Sequence, residues 1–243
     1  MELWVLVIGA ACAGFVQGLS GFAFGLVAMS FWAWLIEPQL AAVLAVFGAL
    51  VGQIQAALTS RRIASWKQLW PFVVGGLLGI PLGVYILPQV DMHWFKLGFG
   101  TLLVVWCSIM LCIAYIPTVR SGGRLLDGIA GWFGGVLCGL GGFTGIIPTL
   151  WCTLRAWPKD QQRLVIQNFN LIMLAVGMSS YIAAGIVTIS MLPKMMLVLP
   201  SVLIPVWLGG LVYLRMNDAQ FRRLVLALLM LSGVVMLVHA SLL

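Results

Sequence analysis

From Leu3 to Ile36 the chain runs for 34 residues without a charged side chain. As one straight helix this stretch would be about 51 Å long, far more than a hydrocarbon core of about 30 Å. A second over-long run, Leu125 to Leu154, has 30 residues and would reach about 45 Å, with Gly139 to Gly145 and Pro148 weakening its middle. Other apolar stretches have the length of single spans, among them Pro38 to Thr59, Leu97 to Ile116, Met195 to Leu214 and Leu224 to Leu243. With 63% hydrophobic and 8% charged residues, a water-soluble fold would expose more apolar surface than water tolerates, so lipid is the solvent for most of the chain. The first run starts at Leu3 with no basic segment before it and no small-residue cleavage site ahead of soluble sequence. A removable signal peptide is therefore not expected.

A net charge of +7 on a soluble protein would suggest nucleic acid. Here the basic residues sit in short loops between apolar spans, where they act as topology signals, so no nucleic-acid partner is expected. The five cysteines, Cys12, Cys107, Cys112, Cys138 and Cys152, lie inside apolar runs without C-x-x-C spacing and read as packing residues. His93 falls in a loop and His239 in the last run, so neither a metal site nor a cofactor is expected. The six acids, Glu2, Glu37, Asp91, Asp127, Asp160 and Asp218, all fall at span ends or in loops. That leaves no paired carboxylates for acid–base chemistry and no obvious ion-coupling carboxylate, and it argues against an enzyme. Asp127 is the one acid to test for coupling, although an interfacial charge is its simpler role.

The chain also repeats itself. Gly14-Phe-Val-Gln-Gly18-Leu-Ser-Gly21-Phe22 is answered by Gly135-Val-Leu-Cys-Gly139-Leu-Gly-Gly142-Phe143. Leu82-Gly83 and Phe95-Lys96 are answered by Leu208-Gly209 and Phe221-Arg222 at the same mutual spacing. Each glycine cluster interrupts an over-long run, which is either a tilted, kinked helix or a hairpin of two short helices meeting inside the membrane. Loop charges bear on the second run. If both runs are single spans, Arg61, Arg62, Lys67, Arg120, Arg124 and Lys194 share one side, giving a 6:7 split of the 13 basic residues. If the second run is a hairpin, only Lys96 and Lys194 oppose the rest, an 11:2 split, which is what orientation by charge requires. The first hairpin rests on the repeat alone. The expected fold is an all-α integral membrane protein of two inverted repeats, residues 1–119 and 120–243. Each repeat has a glycine-broken hairpin plus three transmembrane helices, and together they form a single membrane domain.

After each break a helix restarts near Gly21-Phe22 and Gly142-Phe143, with unpaired N–H groups and a positive dipole end suited to an anion. Ser20, Gly21, Phe22, Gly141, Gly142, Phe143 and Thr144 are the candidate residues there, the two hydroxyls as further donors. The competing reading of Gly14/Gly18, Gly21/Gly25, Gly135/Gly139 and Gly141/Gly145 is close helix packing. Amides inside apolar runs, Gln17, Gln53, Gln55, Gln167, Asn168 and Asn170, can donate to an anion or hydrogen-bond between helices. Of these, Gln17, Gln53, Asn168 and Asn170 join the candidate binding set. Arg155 and Arg163 are candidate charges at the cytoplasmic mouth, or topology signals alone.

On the motif Gly14-Phe-Val-Gln-Gly18-Leu-Ser-Gly21-Phe-Ala-Phe-Gly25, its echo Gly135 to Gly145, the length and the basic central loop, the chain resembles the sulfite exporter TauE/SafE family. The second copy departs from the first with Gly141 for Ser20 and Ile146 for Gly25, which implies unequal halves. The resemblance implies a multi-pass protein of the bacterial inner membrane that transports sulfur-containing anions such as sulfite, sulfoacetate or other organosulfonates. An alternating-access carrier for a small anionic solute is the leading reading. An anion channel and an accessory membrane subunit without a solute pathway are the alternatives, and self-association into a homodimer is left open. Cysteines introduced at Arg120 and Lys194 are expected to label from opposite sides of the membrane, and labelling from one side would remove the second hairpin.

Overall fold

The computed structural model describes residues 2–60, 65–113, 119, 123–213 and 218–241; Arg61, Arg62, Arg120 and Arg215 of the charge count lie outside them. Regular structure among these residues is helical throughout: α1 (Glu2–Ser20), α2 (Phe24–Trp32), α3 (Pro38–Ser60), α4 (Trp66–Ile86), α5 (Met92–Cys112), α6 (Gly123–Gly141), α7 (Ile146–Leu154), α8 (Lys159–Ala183), α9 (Leu192–Tyr213) and α10 (Asp218–Ser241). The first five helices have 19, 9, 23, 21 and 21 residues, and the last five have 19, 9, 25, 22 and 24. Among the described residues six helices are long and apolar enough to cross a membrane, namely those holding Leu3–Ser20, Pro38–Thr59, Trp66–Gln89, Met92–Cys112, Asp160–Ala183 and Ile189–Val212. Large apolar side chains on their outer faces, Leu78, Tyr85, Met196 and Ile204 among them, are exposed as lipid contact requires.

Both over-long runs break. In each, a 19-residue helix turns back into a nine-residue one packed against it, so the limbs are unequal and not two short helices. At the foot of the first hairpin Trp32 Nε1 donates to the Val5 carbonyl at 3.2 Å, across the two limbs. The short limbs begin at Phe24 and Ile146, later than the glycine motifs suggest. The cause is backbone handedness. Gly21 and Gly142 adopt φ of +86° and +75°, which stops α1 and α6 and cannot start a right-handed helix. Gly21 N donates to Gln17 O at 2.7 Å and Gly142 N to Cys138 O at 2.9 Å, while Phe143 N reaches back six residues to Leu137 O at 3.2 Å.

The halves interlock through glycine. Along α4, Gly75, Gly79 and Gly83 ride on the backbone of α6 at Gly128, Trp132 and Val136, so these two helices run parallel. Along α1, Gly14 and Gly18 ride on α9 at Val202 and Val206 in the same sense. A methyl group on Gly135 would collide with the Gly76 carbonyl, and one on Gly18 with the Val206 carbonyl. Packing is thus a real role of the Gly14/Gly18 and Gly135/Gly139 pairs. The fourth helix of each half packs on the hairpin of the other, α3 and α8 meet between these seams, and α5 packs on α10.

Two ends follow. At the basic end, Arg124 lies over Trp70, 5.8 Å to the ring centroid, and Val119 N donates to Leu154 O at 2.8 Å, which gathers the starts of α4 and α6 and the exit of α7. At the far end, Lys96 of α5 meets Trp34 between α2 and α3, 5.7 Å to the centroid. Gly135→Val is expected to destabilise by about 1–3 kcal/mol through overpacking. Gly98→Val, where an added Cβ meets nothing within 4 Å, should leave the melting temperature of the detergent-purified protein unchanged; equal losses would refute the seam.

Candidate functional site

A cavity of about 500 Å³ lies between α1, α3, α8 and α9. Its inner end is the first break, where Gln17, Gly18 and Gly21 face Gly52 and Gln53 of α3. Its mouth is at the basic end, among Thr59 in the last turn of α3, Asp160 and Arg163 in the first turns of α8, and Leu211 late in α9. Val206, Trp207 and Leu211 make an apolar wall, and Gln55, Arg163 and Gln167 contribute polar groups.

Backbone needs at the break set the amides in place. Gln17 Nε2 donates to the Ala49 carbonyl at 2.9 Å, and Gln53 Nε2 donates to the Gly21 carbonyl left open where α1 ends. Gln55 Nε2 donates to Leu203 O at 3.1 Å, tying α3 to α9. A primary amide has two N–H groups, so each of these side chains keeps one beyond its structural bond. The carbonyl oxygens of Gln17 and Gln55 are buried without a partner among the described residues. At the inner end the cavity therefore presents donors and acceptors held rigidly by the helices.

On α8, Arg163, Gln167 and Asn170 follow at i, i+4 and i+7 and form one stripe. Arg163 and Gln167 line the cavity, and the side chain of Gln167 lies against Gly21. Asn170, one turn further in, is completely buried, and neither its Nδ2 nor its Oδ1 has a partner among the described residues. Asn168 is turned off this stripe and donates to Leu164 O of its own helix at 2.8 Å.

The break residues part company. Ser20 Oγ donates to Val16 O at 2.8 Å and accepts from Phe22 N at 3.4 Å and Ala23 N at 3.2 Å, so as placed it caps the break and does not face the cavity. The second break is packed, not open. Phe143 stacks on Phe99 with centroids 5.1 Å apart, its ring covers Gly141, Gly142 abuts Val46, and Thr144 is buried with its carbonyl against Gly134. The breaks do touch: Gly25 lies against the carbonyls of Gly141 and Gly142, and Gly145 against Phe22.

Unequal lining explains the one-sided cavity. Four residues before the glycine stop stands Gln17 in the first half and Cys138 in the second, and the side chain against the stop is Gln167 in the first and Val46 in the second. Arg155 is not among the residues that line the cavity. Its Nη1 donates to Asp127 Oδ1 at 2.7 Å, Trp151 Nε1 donates to the same oxygen at 2.7 Å, and its guanidinium lies over Trp157, 5.2 Å from the centroid. Asp127 thus joins the feet of α6 and α7 as an ion pair. Among the described residues no group of three His, Cys, Asp or Glu side chains is placed to hold a metal.

Gln167 and Gln55 read from sequence as amides able to donate to an anion, Gln167 in a group one to two turns past Arg163 that could line a polar pathway. Both were left out of the candidate binding set, and the α9 wall was not read at all. The α9 wall is apolar and carries no signal of its own in the sequence.

A family model described as sulfite exporter TauE/SafE matches residues 6–236. No curated protein and no solved structure matches the chain. From the Asp127 geometry, Arg155→Ala is expected to lower stability by up to about 3 kcal/mol, because it strands a buried carboxylate. The double variant Asp127→Asn, Arg155→Gln should lose less. Melting curves of the two proteins check this, and an innocuous Arg155→Ala would make the pair incidental.

Proposed function

We propose that this chain, which belongs to the sulfite exporter TauE/SafE family, is a secondary carrier of the bacterial inner membrane that moves a small sulfur-containing anion by alternating access. Sulfite, sulfoacetate and other organosulfonates are the solutes in view. The observation that carries the reading is the amide-lined cavity that ends on a broken helix inside the bundle and opens at the basic end. Broken helices at the middle of the membrane are where secondary carriers hold their solutes. On the rule that positive loops stay in the cytoplasm, the cavity is an inward-facing state.

The residues divide the work. Arg163 near the mouth draws an anion inward. Gln167, Gln53 and Gln17 offer N–H groups to sulfonyl oxygens, in a site where no lysine has to be desolvated beside the solute. Trp207, Val206 and Leu211 supply an apolar surface for an organic tail. Asn170 stands next along the same stripe, as the inner station that the solute meets when the cavity deepens. Two inverted repeats, 1–119 and 120–243, account for the matched helix lengths and for the exchange of packing partners between the halves. In this reading the first half carries recognition, and the second break is a packed support.

Two measurements test this. Thermal stabilisation by sulfite, sulfoacetate, taurine, thiosulfate, sulfate and simple carboxylates should single out a sulfur anion. Gln167→Leu and Gln53→Leu should each weaken that response by roughly 10-fold or more, since hydrogen bonds to charged groups contribute about 1.5–3 kcal/mol. In proteoliposomes a carrier saturates and shows trans-stimulation, whereas a channel passes current without it. Folded protein that responds to none of these anions would sink the anion reading.

A further inference from the structure

The far end of the bundle holds a cation that the cavity does not use. Lys96 is only 8% exposed. Its ammonium sits over the Trp34 ring, 5.7 Å from the centroid, and among the described residues no carboxylate lies within ion-pair distance. Asp91, the acid nearest Lys96 in sequence, and Glu37, three residues past Trp34, are exposed, and Asp91 is engaged in accepting from Trp94 N at the start of α5. An ammonium held beside an aromatic face, with no carboxylate partner among the described residues, keeps N–H donors that can turn to an anion.

Beside Lys96 an aromatic column runs inward. Phe95 stacks on Phe99 with centroids 6.2 Å apart and planes 14° from parallel, and Phe99 stacks on Phe143 at 5.1 Å and 19°. The column starts at the level of Lys96 and ends on the second helix break, which is in contact with the first. All three rings are buried. The cavity described above reaches the first break from the opposite end of the bundle.

The geometry points to this column as the closed far-end gate of the solute path, with Lys96 as the anion-recognising residue at its outer side. The inference rests on the carrier reading, and it adds the other half of the path. When the column parts, the solute passes from the amides of the first break to Lys96, which exchanges the Trp34 face for an anionic oxygen. The ligand class is the same as at the cavity, an oxyanion of sulfur.

The test uses labelling and not transport, so it stands apart from the carrier reading. In full-length protein with the native cysteines replaced, a single cysteine at Phe99 is treated from the far side with two methanethiosulfonates of similar size, one bearing a sulfonate and one a quaternary ammonium. Slow labelling is expected, several-fold faster with the sulfonate reagent, and Lys96→Gln should erase that preference. A single cysteine at Phe95, nearer the surface, repeats the measurement with less disturbance of the column. No labelling from the far side at either position overturns the gate. Equal rates for the two reagents, or a preference that survives Lys96→Gln, overturn the role of Lys96. Absence of trans-stimulation in the unaltered protein would count against the carrier reading and would leave these labelling ratios as they are.

Discussion

A peptide group in hydrocarbon has no water to turn to, and this chain interrupts two helices inside a bundle of lipid-spanning length. How the freed groups are satisfied governs much of what surrounds them. At the first break, Ser20 takes two N–H groups and Gln53 caps the Gly21 carbonyl, so the break is held by polar side chains that also make its surroundings polar. The second break is closed by the six-residue return of Phe143 to Leu137 and by Tyr181 Oη, which donates to Gly139 O at 2.8 Å, and it is packed under Phe99 and Val46. Two solutions to one backbone problem give one break that lines the cavity and one that is packed.

That difference is tolerable because the hairpins are held from the other half. Each is gripped along its long limb by a glycine seam, so the position of each break is set by backbone-to-backbone contact. Side chains around the breaks are consequently free to differ. Gln17 against Cys138 and Gln167 against Val46 are changes of chemistry on matching supports.

Much of this was legible in the order of residues. Run length against bilayer thickness called for a kinked helix or a break in each run, Gly21 and Gly142 marked the place, and the charge split pointed to a hairpin in the second half. The six 21–25-residue helices α3, α4, α5, α8, α9 and α10 stand beside the two hairpins, as the run lengths suggested. Other features depend on three-dimensional partners that no spacing encodes. Arg155 looks like a mouth charge until Asp127, 28 positions earlier, is found beside it. Ser20 looks like a donor until its hydrogen is traced to Val16. Phe143 and Thr144 read as open because they follow a glycine stop, yet Phe99, from a different helix, stacks on Phe143, and Thr144 is buried.

Asn170 carries a consequence for energetics. Leaving a buried amide group unmatched costs about 1–3 kcal/mol, and here both ends of the side chain are unmatched among the described residues. A solute group that hydrogen-bonds to Asn170 would gain both a donor and an acceptor there, and each 1.4 kcal/mol so gained is about a tenfold change in population. Asn170 in this sense favours whichever conformation brings a partner to it.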